Sequence, residues 1–315
     1  MDQTLLDVVF VLSGFALLMA GGEGLVQGAT RISEKLSVSP LVVGFTVVAI
    51  GTSLPELAVA IEAINRDTPD IAIGGVLGSN VANVMLVLGS AAVLGARSQI
   101  GDAVKRDSIA VIVATIFMAV FVFIGEVPLV GGVVMVLLLS GYYYYTYSKA
   151  IESDDEYEFE DSWLPRDMAL AIPACVAGGV MIWFGAKLLV EGAEGIANTF
   201  GISEAVIGLT IVALGTSLPE LAVTVIAGIR GQGGVAVGNV LGSNVMNIMG
   251  IIGIAAIFGG GINVDSEFTR DIMVVIVTSG TVVALFLGGK EISKRAGSLM
   301  IFSYLLYMIY LGGFV

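Results

Sequence analysis

Residues 42–59 read VVGFTVVAIGTSLPELAV, and residues 206–223 read VIGLTIVALGTSLPELAV. Each is an oily run with a glycine, two hydroxyls, a proline and a glutamate set into its middle. A second matched pair follows, IAIGGVLGSNVANVMLVLG at 71–89 and VAVGNVLGSNVMNIMGIIG at 235–253. The whole of 41–89 lies on 205–253 without a gap at an offset of 164 residues, Gly51 onto Gly215 and Ser79 onto Ser243, and more than half of the positions are identical. An internal duplication is therefore the strongest signal in the chain.

The surroundings say what kind of protein carries it. Hydrophobic residues make up 57% and charged residues 13%, with a mean hydropathy of +0.97, against about 25% charged in an ordinary soluble domain. Apolar runs of the roughly 20 residues needed to cross a bilayer recur along the chain. They leave no room for a separate soluble domain, so the function is expected inside the membrane. Met1 and Asp2 open the chain without the basic region and small-residue cleavage site of a signal peptide, so the first apolar run is expected to be a retained helix. The single Cys175 excludes an intrachain disulfide. The acidic run ESDDEYEFED at 152–161 reads as a solvated loop, with a weak regulatory cation site as the alternative, and it lacks the alternating acids, central glycine and final glutamate of an EF-hand.

Ten spans are expected, in the windows 5–29, 39–64, 71–96, 108–125, 128–148, 167–195, 203–229, 235–258, 271–289 and 296–314. All should be helices, because lipid leaves open sheet edges unsatisfied and no barrel-type alternation is present. Basic residues test the map, since cytoplasmic loops hold the excess of lysine and arginine. Arg31 and Lys35, then Arg97, Lys105 and Arg106, then Lys149 and Arg166, then Arg230, then Lys290, Lys294 and Arg295 fall in odd-numbered loops, whereas the even-numbered loops hold only Arg66 and Arg270. Both termini are thus expected outside and the 152–161 loop inside, in a plasma-membrane protein. Tyr142 to Tyr145 and Trp163 then sit near the inner interface as an aromatic belt. Lys187 falls within a span, where it either snorkels outward or pairs with Glu191 one turn on.

Five spans per copy is an odd number, so the second copy enters the membrane from the opposite side. The expected fold is all-α, two inverted five-helix repeats at 1–148 and 167–315 joined by an acidic cytoplasmic linker at 149–166. Secondary transporters commonly place their sites at such a repeat interface, on interrupted helices. Spans 2, 3, 7 and 8 carry the duplicated segments and are the ones expected to be interrupted. Pro55 has no N–H and crowds the carbonyl of Gly51, and Pro219 does the same to Gly215.

The chemistry lies at those interruptions. Thr52 and Glu56 stand four residues apart on one helix face, as do Ser79 and Asn83; Thr216 with Glu220 and Ser243 with Asn247 repeat both pairs. The set is all oxygen donors, with no histidine in the chain, which suits hard cations such as calcium and sodium. A carboxylate at the bilayer centre costs roughly 2.5–3.5 kcal/mol, and two at matching positions imply compensation by a bound cation; the alternative, glutamates protonated or hydrogen-bonded to a neighbouring helix, does not predict duplication of the whole oxygen set. Ser53, Ser217, Asn80 and Asn244 fit the site but also fit simple close packing of helices. Gly74, Gly75 and Gly78 read as backbone access and close packing.

The two GTSLPEL segments, each followed by G[GN]VLGSNxxN, closely resemble the alpha repeats of the cation/calcium exchanger superfamily, particularly the prokaryotic sodium/calcium exchangers. The resemblance spans all ten expected helices. It implies sodium-driven calcium antiport with Glu56 and Glu220 as central ligands. By motif position it also implies Thr52, Ser53, Ser79, Asn83, Thr216, Ser217, Ser243 and Asn247 as further ligands or neighbours, with the backbone carbonyls of Ala49 and Ala213. The first and sixth spans would form a sliding gate. Two positions depart from the pattern. Asn247 stands where several relatives, including potassium-dependent ones, have aspartate, which argues against potassium coupling. Gly75 stands where asparagine is common, as at Asn239, and that is expected to remove only a helix-start polar contact.

On this reading the partners are calcium, sodium and the lipid bilayer, with no cofactor, nucleic acid or protein partner, and no enzymatic step. Three rivals stand beside it. A calcium/proton exchanger would titrate the same glutamates, a cation channel would use the oxygens as a filter, and a membrane enzyme would use the carboxylates for acid/base work but has no nucleophile beside them.

Overall fold

The computed structural model describes residues 3–96, 100–152, 162–200 and 215–311. Helix α1 covers Gln3–Leu36. The chain continues through α2 (Pro40–Val43), a π-helical stretch at Gly44–Val48, α3 (Ala49–Thr52) and α4 (Leu54–Asn65). Helix α5 (Pro69–Ala82) runs through a second π stretch, Asn83–Val87, into α6 (Leu88–Leu94), followed by α7 (Asp102–Ile124) and α8 (Leu129–Glu152). Then come α9 (Met168–Thr199), α10 (Leu218–Ile229) and α11 (Gly233–Val245). A third π stretch, Met246–Ile252, leads into α12 (Gly253–Gly259), with α13 (Phe268–Leu287) and α14 (Lys294–Leu311) after it. Among the described residues seven helices are long and apolar enough to cross a membrane, and the bent pair Pro40–Thr52 with Leu54–Asn65 makes an eighth.

The expected interruptions take two forms. The second span breaks at Ser53, where α3 and α4 meet at 43°. Pro55 sits in the first turn of α4, the position where its missing N–H costs least. The third and eighth spans do not break. They stay continuous, and the helix is widened by a π stretch that begins three residues after Asn80 in one and two after Asn244 in the other. Two short strands also appear where only helices were expected. Glu126–Pro128 pairs antiparallel with Gly261–Asn263, Val127 opposite Ile262; both strands lie in connections between helices, where backbone groups need partners outside a helix.

Two close approaches organise the bundle. Helices α1 and α9 lie antiparallel, with Gly14, Gly21 and Gly28 on one and Gly178, Gly185 and Gly192 on the other. A Cβ at Gly14 would stand 2.6 Å from the Gly185 carbonyl oxygen, and one at Gly21 2.7 Å from that of Gly178. Backbones this close are possible only along small residues. The second approach sets α11 on the α2–α3 region: a Cβ at Gly44 would stand 2.7 Å from the Val235 carbonyl, and Cβ atoms at Gly238 and Gly242 would strike the Leu41 and Phe45 backbones. This contact joins the two duplicated segments and places Thr52 beside Asn239.

The tyrosine run splits. Successive helical residues point about 100° apart, so Tyr144 and Tyr145 are exposed whereas Tyr142 and Tyr143 turn inward onto Phe45, ring centroids 5.7 and 6.0 Å away. The Tyr142 hydroxyl donates to Asp107 at 2.7 Å. Of the acidic run at 152–161 only Glu152 is described. The residues after it dock on α1: Arg31 donates to the carbonyls of Ser162 and Leu164, Arg166 pairs with Glu34, and Trp163 donates to Glu23. Glu23 also pairs with Arg230 at 2.9 Å. Lys187 is exposed and forms no ion pair with Glu191.

Candidate ion site

Glu56 and Glu220 each stand in the first turn of a helix, α4 and α10, directly after the proline. The residue entering each turn has the same backbone: Ser53 at φ −87°, ψ 4° and Ser217 at φ −87°, ψ 0°. One local sequence thus folds the same way twice. The positive end of each helix, where backbone N–H groups are unspent, offsets the charge of the carboxylate beside it.

Both carboxylates are buried, Glu56 at 5% exposure and Glu220 at 0%, and they lie within electrostatic reach of each other. Among the described residues no lysine or arginine pairs with either. Glu220 Oε1 accepts from Ser53 Oγ at 3.2 Å, and the hydroxyls of Thr52 and Ser243 lie alongside the same carboxylate. Among the described residues, both oxygens of Glu56 and Oε2 of Glu220 have no hydrogen-bond partner. Removing an unpaired carboxylate from water is among the costliest steps in folding.

The surrounding oxygens come from both copies. Thr52 Oγ1 lies 3.4 Å from Ser243 Oγ and 3.2 Å from Asn239 Oδ1, and Asn247 Nδ2 donates to Asn80 Oδ1 at 3.4 Å. Ser79 is buried in α5, and Asn83 opens its π stretch with both amide atoms unpartnered. Ser217 Oγ and the Asn244 amide are buried without partners, whereas Thr216, just ahead of α10, is partly exposed. The Ala49 carbonyl accepts from Ser53 N at 3.0 Å and from Thr52 Oγ1 at 3.3 Å; Ala213 lies outside the described residues. Ser53 is therefore more than a small packing residue, since it holds Glu220 across the repeat boundary.

No cluster of three or more histidine, cysteine, aspartate or glutamate residues occurs among the described residues. With two carboxylates at most, the remaining ligands for an ion here must be hydroxyl, amide and carbonyl oxygens, the donor set of hard cations.

One expectation fails. Asn239 is no helix-start contact: it lies in the middle of α11, fully buried, bonded to Thr52, to Thr224 Oγ1 at 3.0 Å and to the Glu220 carbonyl at 3.4 Å. Sequence reasoning passed over it because only the packing of α11 on α3 turns it into the site.

Similarity to known proteins shows the family of the chain. A family model described as sodium/calcium exchanger protein matches residues 6–148 and 170–313. The chain is 33% identical over 318 residues to the putative antiporter CaxA of Alkalimonas amylolytica, covering 96% of this chain and 98% of that one. It is 31% identical over 350 residues to the sodium/calcium exchanger MaX1 of Methanosarcina acetivorans, covering 97% and 98%. Among solved structures, the sodium/calcium exchanger from Methanococcus jannaschii superposes with a TM-score of 0.84 at 31% identity, over 97% of this chain and 98% of that one. The chain belongs to the sodium/calcium exchanger family, and is a multi-pass membrane antiporter of that type rather than an enzyme.

Proposed function

We propose that this antiporter exchanges sodium for calcium by alternating access, with Glu56 and Glu220 as the shared ligands at mid-membrane. The observation that carries the reading is the pair of buried carboxylates, one from each duplicated segment, with no basic partner among the described residues and three of their four oxygens unengaged there. One calcium neutralises two carboxylates, as do two or more sodium ions. A site holding neither would keep two bare charges out of water, so the empty protein should resist switching sides and exchange becomes obligatory. Thr52, Ser53, Ser79, Asn83, Thr216, Ser217, Ser243 and Asn247, with the carbonyls of Ala49 and Ala213, complete the proposed ligand set. Asn247 leaves the set one charge short of an aspartate-bearing one, which speaks against potassium as a third ion.

The proposed frame is ten helices in two inverted repeats, 1–148 and 167–315, linked by 149–166 in the cytoplasm, with both termini outside the plasma membrane. The gapless duplication and the two separate family matches support it. The α1–α9 pair is the proposed moving part. An apolar crevice of about 480 Å³ separates it from the α3–α4 break, lined by Leu25, Cys175 and Val180 on one side and Val47, Gly51 and Pro55 on the other. Among the described residues no hydrogen bond joins its two sides.

The test is radioactive calcium uptake into liposomes carrying the purified protein. An outward sodium gradient should drive uptake and a proton gradient should not; the reverse selects the calcium/proton reading, and flux without any counter-ion selects a channel. Glu56→Gln and Glu220→Gln should each abolish uptake, and full activity in either removes the proposal.

A further inference from the structure

The two halves of the ion site differ at a pair of buried positions that touch each other. Asn239 in α11 donates from Nδ2 to Thr224 Oγ1 in α10, and both side chains are fully buried. At the same offset the first half has Gly75 and Ala60. The hydrogen-bonded pair exists in one half and is missing as a pair from the other.

The orientation of the Asn239 amide follows from its neighbours. The Glu220 carbonyl, 3.4 Å away, can only accept, so the NH2 group must face it. The amide oxygen then faces Thr52, whose hydroxyl donates to it at 3.2 Å. The Thr52 hydroxyl has a single proton and four acceptors around it, Asn239 Oδ1, the Ala49 carbonyl, Ser243 Oγ and the Glu220 carboxylate; given to Asn239 or Ala49, the proton leaves lone pairs turned to Ser243 and Glu220. That is the state a hydroxyl must adopt to bind a cation.

We infer that Asn239, held by Thr224, is a positioning residue of the ion site. It orients the Thr52 hydroxyl supplied by the first half and pins the helical turn that carries Glu220 in the second. The inference deepens the exchange reading above and rests on it. It also makes the two carboxylates unequal. Glu220 is fixed by Ser53 and by a pinned turn, whereas Glu56 has no partner on either oxygen among the described residues and stands in a half where Gly75 and Ala60 supply no such pair. Glu220 is the anchored ligand, and Glu56 is the one that adjusts when one divalent ion replaces several monovalent ones.

The experiment measures sodium-driven calcium uptake in proteoliposomes, with wild type and E220Q as references. Asn239→Gly, which copies Gly75, should raise the calcium KM about tenfold, the loss of one hydrogen bond to a ligand, with maximal rate per monodisperse protein changed less than twofold. Thr224→Ala should shift KM the same way by a smaller factor, and Thr224→Ser should restore it. The double variant T52A/N239G should fall short of the product of the two single effects, because both remove the same oriented hydroxyl. A merely structural role would lower the amount of active protein and leave KM alone. If N239G does not remain monodisperse, the Thr224→Ala and Thr224→Ser pair decides alone. An N239G or T224A protein whose calcium KM stays within twofold of wild type overturns the assignment while the exchange reading stands. Wild type that takes up no calcium under a sodium gradient overturns both.

Discussion

Ser53 shows how much of the site rests on single hydroxyls. Its Oγ donates to Glu220 across the repeat boundary at 3.2 Å, with both residues at 0% exposure. Hydrogen bonds to buried charged groups contribute about 1.5–3 kcal/mol, so Ser53→Ala should weaken calcium binding by about tenfold or more. Titration calorimetry of calcium into the sodium-free detergent-solubilised protein measures this directly, and unchanged affinity would show that the Ser53 contact holds nothing. Much at this scale could be read before any coordinates. Glu56 and Glu220 stood out because a carboxylate is anomalous in an apolar run, and the repeat supplied its own control. Asn239 did not stand out. An asparagine in a GN pair looks like a turn or helix-start residue, and its role appears only when α11 is laid against α3 at glycine-limited distance.

At the scale of the element, glycines decide which helices are fastened to which. A Cβ at Gly178 would stand 2.6 Å from both the Gly21 carbonyl oxygen and the Leu25 nitrogen, whereas one at the adjacent Gly179 meets nothing within 4 Å. Overpacking of this kind costs about 1–3 kcal/mol. Gly178→Ala should therefore lower the thermal midpoint in detergent and slow exchange, while Gly179→Ala leaves both unchanged; equal behaviour of the two would mean that α1 and α9 are not held by backbone contact. The break at Ser53 was legible because proline is its direct cause. The π stretches at Asn83–Val87 and Met246–Ile252 were not, since a widened turn needs one extra residue in the hydrogen-bond ring and no particular residue type. Their position is nonetheless instructive: each begins within one residue of Asn83 or Asn247, and π turns gather at functional positions.

For the molecule as a whole, the contacts sort the connections into two ends. Arg31, Glu34 and Arg166 join the first and fifth connections, and Glu23 joins α1 to Arg230 in the seventh. A Cβ at Gly228 would meet Ala96, and one at Gly95 would meet Lys294, which brings the third, seventh and ninth connections together. At the other end the strands tie the fourth connection to the eighth, and Ile64 meets Gly259. The basic residues follow the same division, with Arg66 and Arg270 the only ones placed in the second group of loops. Lysine and arginine mark the cytoplasmic side, so the first group should face inward. Cysteine labelling checks it with little background, because the single native Cys175 is buried. Asp67→Cys and Lys290→Cys replace exposed residues from opposite ends. In right-side-out vesicles a membrane-impermeant maleimide should label the first and spare the second, and in inverted vesicles the pattern should exchange. Labelling of both from one side would mean that the two ends are not separated by the membrane, and the paired glutamates would then lose their place between two aqueous faces.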